Sequence, residues 1–326
     1  MTPPPARPVV LVATFPFGEA SEEPVTLLAA AAAASGATIV RHPHRRVLRP
    51  AELLPLLRDA DAVVAGTERY DAAALAAAPR LRLLARTGVG VDAVDLDAAR
   101  ARGVAVTSTS DAPSASAAEL AVGLLVGVAR QVGQADRAMR AGRWERRTGL
   151  LLEGRTIGIV GLGRIGTRVA RMLRAFGCRI VATDIDPAAA ARADAVGATL
   201  VSLDQLLSQA DAVTLHVPLT PLTRGLVSAA ALARLRRGAF VVNTSRGEVV
   251  DEAALLAALQ AGHLGGAALD VYADEPYTGP LAAREDVLLT AHMGSCTDAG
   301  RRAMELGAAR SVAAWLTGKP VEGRIV

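Results

Sequence analysis

An arginine, a glutamate and a histidine each follow an apolar run in the second half of this 326-residue chain. Arg246 lies in Asn243-Thr244-Ser245-Arg246-Gly247, just past the run 239–242. Glu275 lies in Asp270-Val271-Tyr272-Ala273-Asp274-Glu275-Pro276, past 267–269, and His292 in Ala291-His292-Met293-Gly294-Ser295, past 287–290. The runs read as short buried strands. In an open parallel sheet, ligands bind at the carboxyl ends of the strands. The three side chains there suit hydride transfer at a carbonyl carbon. Histidine titrates near neutrality and can give or take the proton, so His292 is the candidate acid and base. Glu275 can hold the imidazolium. Arg246 is permanently cationic and can grip a keto oxygen and a carboxylate with two donors.

A hydride needs a carrier, and a site for one lies upstream. Residues 157–160 are an apolar run with β-branched members, followed by Gly161, Gly163 and Gly166 at G-x-G-x-x-G spacing. Val169, Met172, Leu173 and Phe176 then recur at helical spacing up to Gly177, and 179–183 reads as a second strand ending at Asp184. Gly161 allows a tight turn, Gly163 lets a pyrophosphate approach the backbone, and Gly166 lets helix and strand pack closely. The helix N-terminus offers N–H groups and a partial positive charge. Asp184 stands eighteen residues beyond Gly166, where a carboxylate accepts hydrogen bonds from a ribose. A 2′-phosphate would meet its charge, so the pattern favours NAD over NADP.

The remaining elements must hold these groups. Strands are expected at 9–15, 38–40, 62–65, 81–86 and 104–107, with helices at 25–34, 50–58, 71–78 and 95–102. The alternation predicts a parallel sheet covered on both faces. A long apolar helix is expected at about 114–130, with Ser116 and Glu119 as a capping box at its start. A polar helix near 134–141 leads to Gly142-Arg143-Trp144-Glu145-Arg146. Further strands are expected at 212–216, 239–243, 267–271 and 287–290, and helices at 202–209, 229–235 and 252–261. A last helix at 298–318 is expected to return to the first domain, which makes that domain discontinuous. Trp144 and Trp315 read as packing residues, and His42, His44 and His263 as surface residues. The basic loop 41–46 reads as solvated, and Cys296 as an inert buried thiol.

Composition bounds the classes. Hydrophobic residues make up 51% and aromatics 3%, so the chain is globular and its helices are alanine-rich. The net charge of +4 is mild, with arginine scattered, so no nucleic-acid partner is expected. Two distant cysteines imply no disulfide framework or metal site. The N-terminus lacks an apolar signal core, and no uncharged span of membrane length occurs, so a cytoplasmic protein without a membrane partner is expected.

These motifs resemble the D-isomer-specific 2-hydroxyacid dehydrogenases over about 9–326. The resemblance rests on Arg86-Thr87-Gly88-Val89-Gly90-Val91-Asp92, Ser116-Ala117-Ala118-Glu119, the glycine fingerprint, His216-Val217-Pro218-Leu219-Thr220, Asn243 to Gly247, Leu269-Asp270-Val271 through Glu275-Pro276-Tyr277, and His292. It implies two Rossmann-like doubly wound α/β domains. A dinucleotide-binding domain at 109–293 is inserted into a substrate-binding domain formed by 1–108 and 294–326. It implies Arg246, Glu275 and His292 as the catalytic trio, and backbone N–H groups around Val89 and Gly90 as the site for the substrate carboxylate. It places Arg164 and Ile165 at the pyrophosphate, Asp270 near the nicotinamide amide, and His216, Pro218 and Thr244 along the NAD. A homodimer through 114–146 is also implied.

Within the family, Arg86, the Gly-Arg-Trp-Glu-Arg run and Glu275-Pro276-Tyr277-Thr278-Gly279-Pro280-Leu281 are most similar to 3-phosphoglycerate dehydrogenases. Arg86 and Arg146 are then candidate phosphate contacts. Departures are Ala291 where the family has proline before the histidine, and Thr109-Ser110 where Thr-Pro is commoner. Ala65-Gly66-Thr67-Glu68-Arg69 also lacks an arginine that many phosphoglycerate enzymes carry after this strand, Arg69 being the nearest substitute. No regulatory domain is expected after the last helix. Glyoxylate or hydroxypyruvate reduction, or a 2-hydroxyacid oxidation in a specialised pathway, is the alternative within this chemistry. An NAD(H)-sensing, corepressor-like binding protein is the alternative of another class.

Overall fold

A computed structural model describes residues 4–5, 7–109 and 111–326. Residues 1–3 and 6, and Ser110 of the Thr109-Ser110 pair, lie outside the described residues. The chain divides into two compact units, Met1–Pro113 with Ser295–Val326, and Ser114–Gly294. The breaks fall at Pro113/Ser114 and Gly294/Ser295 rather than at 108/109 and 293/294. Ser114 opens the helix Ser114–Ala129 of the second unit, and the Gly294 N–H is still tied to Asp270 of that unit.

The first unit holds five parallel strands, β1 Val9–Val12, β2 Thr38–Arg41, β3 Ala62–Ala65, β4 Leu83–Arg86 and β5 Ala105–Thr107, in the order β2-β1-β3-β4-β5. Successive side chains point to opposite faces of a strand. Leu11 and Val63 therefore join one core with Leu53, Leu57 and Leu75, while Val10, Val12 and Val64 join another with Leu28, Val312 and Trp315. Burial on both faces is why these strands read as continuous apolar runs. Trp315 belongs to the helix Asp298–Leu316, which packs on the helix Glu23–Ser35 and returns the C-terminal segment to this unit.

The second unit holds seven parallel strands: β6 Thr156–Val160, β7 Arg179–Thr183, β8 Thr199–Leu200, β9 Ala212–Leu215, β10 Ala239–Asn243, β11 Leu264–Leu269 and β12 Val287–Leu289. Their order is β12-β11-β10-β9-β6-β7-β8. The chain runs outward from β6 to β8, then crosses back to β9 and runs outward the other way. The direction reverses between β6 and β9, which is where dinucleotides bind in such sheets. The helix Ala189–Val196 and the two-residue β8 were not anticipated from sequence.

Three local expectations are corrected. Ser116 and Glu119 form no capping box at the start of the long helix. That helix begins at Ser114, and Ser116 is buried within its first turn. Trp144 is not a packing residue within the chain, being 79% exposed. His42 and His263 are half-buried rather than surface residues, with Nε2 at 2.7 Å from the Ala13 carbonyl and at 3.1 Å from the Leu232 carbonyl, respectively. In the basic loop, Arg46 holds both oxygens of Glu52, at 2.6 and 2.8 Å. No single helix among the described residues is long and apolar enough to cross a membrane. The bent pair Ser114–Ala129 and Val132–Arg140 has the length and composition, but Ala118, Ala121, Leu124 and Leu125 of its first helix are core residues.

Candidate active site

Arg246, Glu275 and His292 all lie in the second unit, on the loops that leave β10, β11 and β12. His292 Nδ1 stands 2.8 and 3.1 Å from the two Glu275 carboxylate oxygens. The Tyr272 N–H also donates to Glu275 Oε1, at 3.2 Å. Burial by itself would raise the Glu275 pKa. The hydrogen bond and charge of His292, the Tyr272 N–H and the Arg246 charge outweigh it, and the net shift is downward. Arg246 is aimed by Asn243, whose buried amide donates to the Arg246 carbonyl at 2.8 Å and accepts from Ser245 N at 3.0 Å and Ser245 Oγ at 2.7 Å. Arg246 Nη1 donates to the Ser245 carbonyl at 2.6 Å. At Gly247 a Cβ would overlap the Tyr272 carbonyl carbon and the Ala273 nitrogen. Only glycine lets the arginine turn sit directly on the loop that carries Glu275.

His292 has φ +49°, a left-handed conformation uncommon for a residue with a side chain. Asp270, 1% exposed, accounts for it. Its carbonyl accepts the His292 N–H at 2.8 Å, and its carboxylate accepts Met293 N and Gly294 N, both at 2.8 Å, and Thr290 Oγ1 at 2.5 Å. The backbone on both sides of the histidine is therefore pinned to one buried acid. Tyr272 ties the same two loops, its hydroxyl donating to the Leu269 and Thr290 carbonyls at 3.0 and 2.8 Å. Burial pushes the Tyr272 pKa up to about 12, so that donor stays protonated. The Tyr272 link is not legible in the sequence: a motif shows a tyrosine but not which carbonyls it reaches.

The glycine turn fits a dinucleotide. Gly161 has φ +91°, and a Cβ there would come within 2.7 Å of the His216 carbonyl oxygen. A Cβ on Gly166 would overlap the Gly161 carbonyl, which brings helix and turn together. Gly163 is the N-cap of the helix Arg164–Ala175 and supplies no side-chain cap, and the space where its Cβ would stand is open. Uncapped N–H groups beneath an open space are what a pyrophosphate needs. Two buried polar atoms without partners, Thr244 Oγ1 and His216 Nδ1, are also left for a ligand. Burial pushes the His216 pKa down to about 3, so its ring is neutral, with Nε2 at 2.9 Å from Thr214 Oγ1. Asp184 accepts Leu162 N at 2.7 Å, placing the acid against the turn. Ile185, the next residue, is 88% exposed and was not singled out from sequence.

Of the expected substrate contacts, Arg86, Val89 and Gly90 lie in the first unit, at and beyond the end of β4. Val89 is exposed, and Gly88 before it has φ +154°. Arg86 Nη1 donates to the Thr87 carbonyl at 2.7 Å and lies against Gly88, so the guanidinium folds back over its own loop. Sequence reasoning passed over the groups around it. Glu68 is buried and accepts Gly66 N at 2.7 Å; burial raises its pKa, partly offset by those backbone donors and by the Arg86 and His42 charges. Burial, and then the Glu68 charge, push the Tyr70 pKa well up. Arg146 sits in the exposed stretch after the helix Val132–Arg140, where its neighbours Arg143 and Arg147 both bind Glu145 at 2.7 Å. No described hydrogen bond or ion pair joins it to the trio. Cys296 is exposed, not buried; Cys178 is buried, and burial raises its pKa. Among the described residues no group of three His, Cys, Asp or Glu could hold a metal ion.

Residues 122–294 match the sequence model of the D-isomer specific 2-hydroxyacid dehydrogenase, NAD binding domain. The chain is 43% identical over 272 residues to a D-3-phosphoglycerate dehydrogenase of Mycobacterium leprae, covering 82% of this chain and 51% of that protein. It therefore spans about half the length of the phosphoglycerate dehydrogenases it matches. It is 38% identical over 277 residues to a glyoxylate reductase of Thermofilum pendens, covering 82% of each chain. Among solved structures, a glyoxylate reductase from Paecilomyes thermophila superposes with a TM-score of 0.87 at 28% identity, covering 98% of both chains. The family model covers more than half of the chain and the glyoxylate reductase is more than 30% identical over most of both chains: this chain belongs to the D-isomer-specific 2-hydroxyacid dehydrogenases, and Ser114–Gly294 contains the family's NAD-binding domain.

Proposed function

We propose that this protein is an NAD-dependent oxidoreductase. It moves a hydride between the nicotinamide and the second carbon of a D-2-hydroxy acid or its 2-keto partner, a 3-phosphoglycerate-like acid being the leading substrate class. The observation that carries the reading is the His292–Glu275 pair at 2.8 Å with the Arg246 charge beside it. Bound NAD supplies or accepts the hydride. His292 turns Nδ1 to Glu275, which leaves Nε2 to protonate the keto oxygen, or to take the hydroxyl proton in the reverse direction. Glu275 holds the imidazolium until transfer. Arg246 draws charge onto the keto oxygen and orients the acid. Arg164, Ile165, His216, Pro218 and Thr244 line the cofactor in this reading, Asp270 stands near the nicotinamide amide, and the backbone at Val89 and Gly90 receives the substrate carboxylate.

The test is nicotinamide absorbance with a panel of 2-keto and 2-hydroxy acids, with and without a phosphate. Turnover of none, with NADH still bound, would overturn the enzyme reading in favour of an NAD(H)-sensing protein. The pH profile is a second check. The Glu275 pKa lies below its ordinary value, so its carboxylate is retained as pH falls and is lost only on passing through the lowered value. Reductive turnover should therefore show no acid limb above about pH 4.3, the ordinary glutamate value. An acid limb near neutrality would mean that Glu275 does not hold the histidine.

Reduction of glyoxylate or hydroxypyruvate is the second reading. The inward fold of Arg86 onto the Thr87 carbonyl favours it. If Arg86 nevertheless swings out to a phosphate, Arg86→Ala should raise KM for a phosphorylated acid about tenfold more than for glyoxylate, the scale of one charge-assisted contact. Equal losses would remove the phosphate role. A homodimer and a cytoplasmic location complete the proposal. The dimer is supported by the exposed apolar residues Val132, Met139, Trp144 and Leu151 on and beside 114–146.

A further inference from the structure

The end of β7 carries more than the ribose-binding acid. Asp184 accepts Leu162 N at Oδ2 (2.7 Å) and Asp186 N at Oδ1 (2.9 Å). Arg192, on the helix Ala189–Val196, reaches back to the same turn. Its Nε donates to the Leu162 carbonyl at 2.7 Å, and its Nη2 lies 2.8 Å from Asp186 Oδ2 and 3.8 Å from Asp184 Oδ2. Both backbone polar groups of Leu162, inside the glycine fingerprint, are thus held by this cluster. The Arg192 side chain is 30% exposed and that of Asp186 50%, so both border solvent on the side of the exposed Ile185.

A guanidinium beside the ribose acid is what a 2′-phosphate would require. Here it is already engaged. We propose that Asp186 and Arg192 form a second determinant of coenzyme choice, resting on the NAD reading above: Asp186 sequesters a cation placed to take the adenosine 2′-phosphate of NADP. Asp184 excludes that phosphate by its own charge. Asp186 excludes it by neutralising the partner. NADP acceptance is therefore latent in this turn, and two carboxylates suppress it rather than one. The cluster also makes Arg192 a positioning residue, since its fork fixes the Leu162 carbonyl.

The test is equilibrium binding of NADH and NADPH, read by nicotinamide fluorescence, in the full chain. Wild type should bind NADH at least tenfold more tightly. Asp184→Ser should narrow that ratio. Asp184→Ser with Asp186→Asn should narrow it about tenfold further, because the freed guanidinium gains a charge-assisted contact. Adding Arg192→Gln should reverse this last gain, lowering NADPH affinity about tenfold more than NADH affinity. Arg192→Lys should retain part of the gain, as a point charge without the fork. The gain should also shrink with added salt. If Asp186→Asn leaves the ratio unchanged, or Arg192→Gln weakens both coenzymes equally, the inference fails while the NAD reading stands. A wild-type chain that binds neither coenzyme would end both.

Discussion

Replacing His292 by asparagine is expected to lower turnover by about 10²–10⁴, the contribution of a positioned proton donor, while NADH still binds. Asparagine is the informative choice because of the backbone. His292 sits at φ +49°, and asparagine is one of the few residues that tolerates that region. Its amide can still donate toward Glu275, and the Asp270 bonds to residues 292–294 use only main-chain N–H groups. The variant therefore keeps the loop and loses the ring nitrogen that would carry the proton. Alanine would confuse the two, because it tolerates the left-handed position less well and so disturbs the loop as it removes the ring. Steady-state turnover beside NADH fluorescence separates the outcomes. Unchanged turnover removes His292 from the chemistry, and joint loss of turnover and NADH binding shows a collapsed loop instead.

What the sequence made legible was local or periodic. The three glycines stand out because each answers a separate local steric need over a few residues. The paired apolar faces of β1 and β3 follow from two-residue alternation, and the trio from residue types just past buried runs. What escaped was pairing between distant residues. Nothing in Asp270 announces that its carboxylate will take the N–H groups of Met293 and Gly294. Arg86 reads as a free cation until Glu68, buried beside it, is seen. The two-residue β8 carries exposed side chains at both positions and no hydrophobic period, so it left no signal. The Ser116–Glu119 pair imitates a capping box, but the helix already begins at Ser114, which is buried. Trp144 misled because bulk alone does not tell a residue packed in the chain from one exposed at 79%.

Gly247→Ala is expected to lower kcat by about 10² without touching a catalytic side chain. The added methyl would occupy the place of the Tyr272 carbonyl carbon and the Ala273 nitrogen. Both are backbone atoms, so no rotamer change relieves the overlap, and the Arg246 turn must move away from the loop of Glu275. Displacement of a catalytic group by about 1 Å costs on the order of 10²-fold. The shift also reaches the acid, since Glu275 is held by the Tyr272 N–H. Gly262→Ala is the matched control. Gly262 has φ +62° in the same unit, but no atom lies within 4 Å of where its Cβ would stand. Its cost is conformational, about 1 kcal/mol of stability, and its kcat should be near wild type. Thermal melts of both variants show whether stability alone explains a loss. If the two lose kcat equally, close approach at Gly247 does not set the trio, and the placement of Arg246 against Glu275 must come from Asn243 alone.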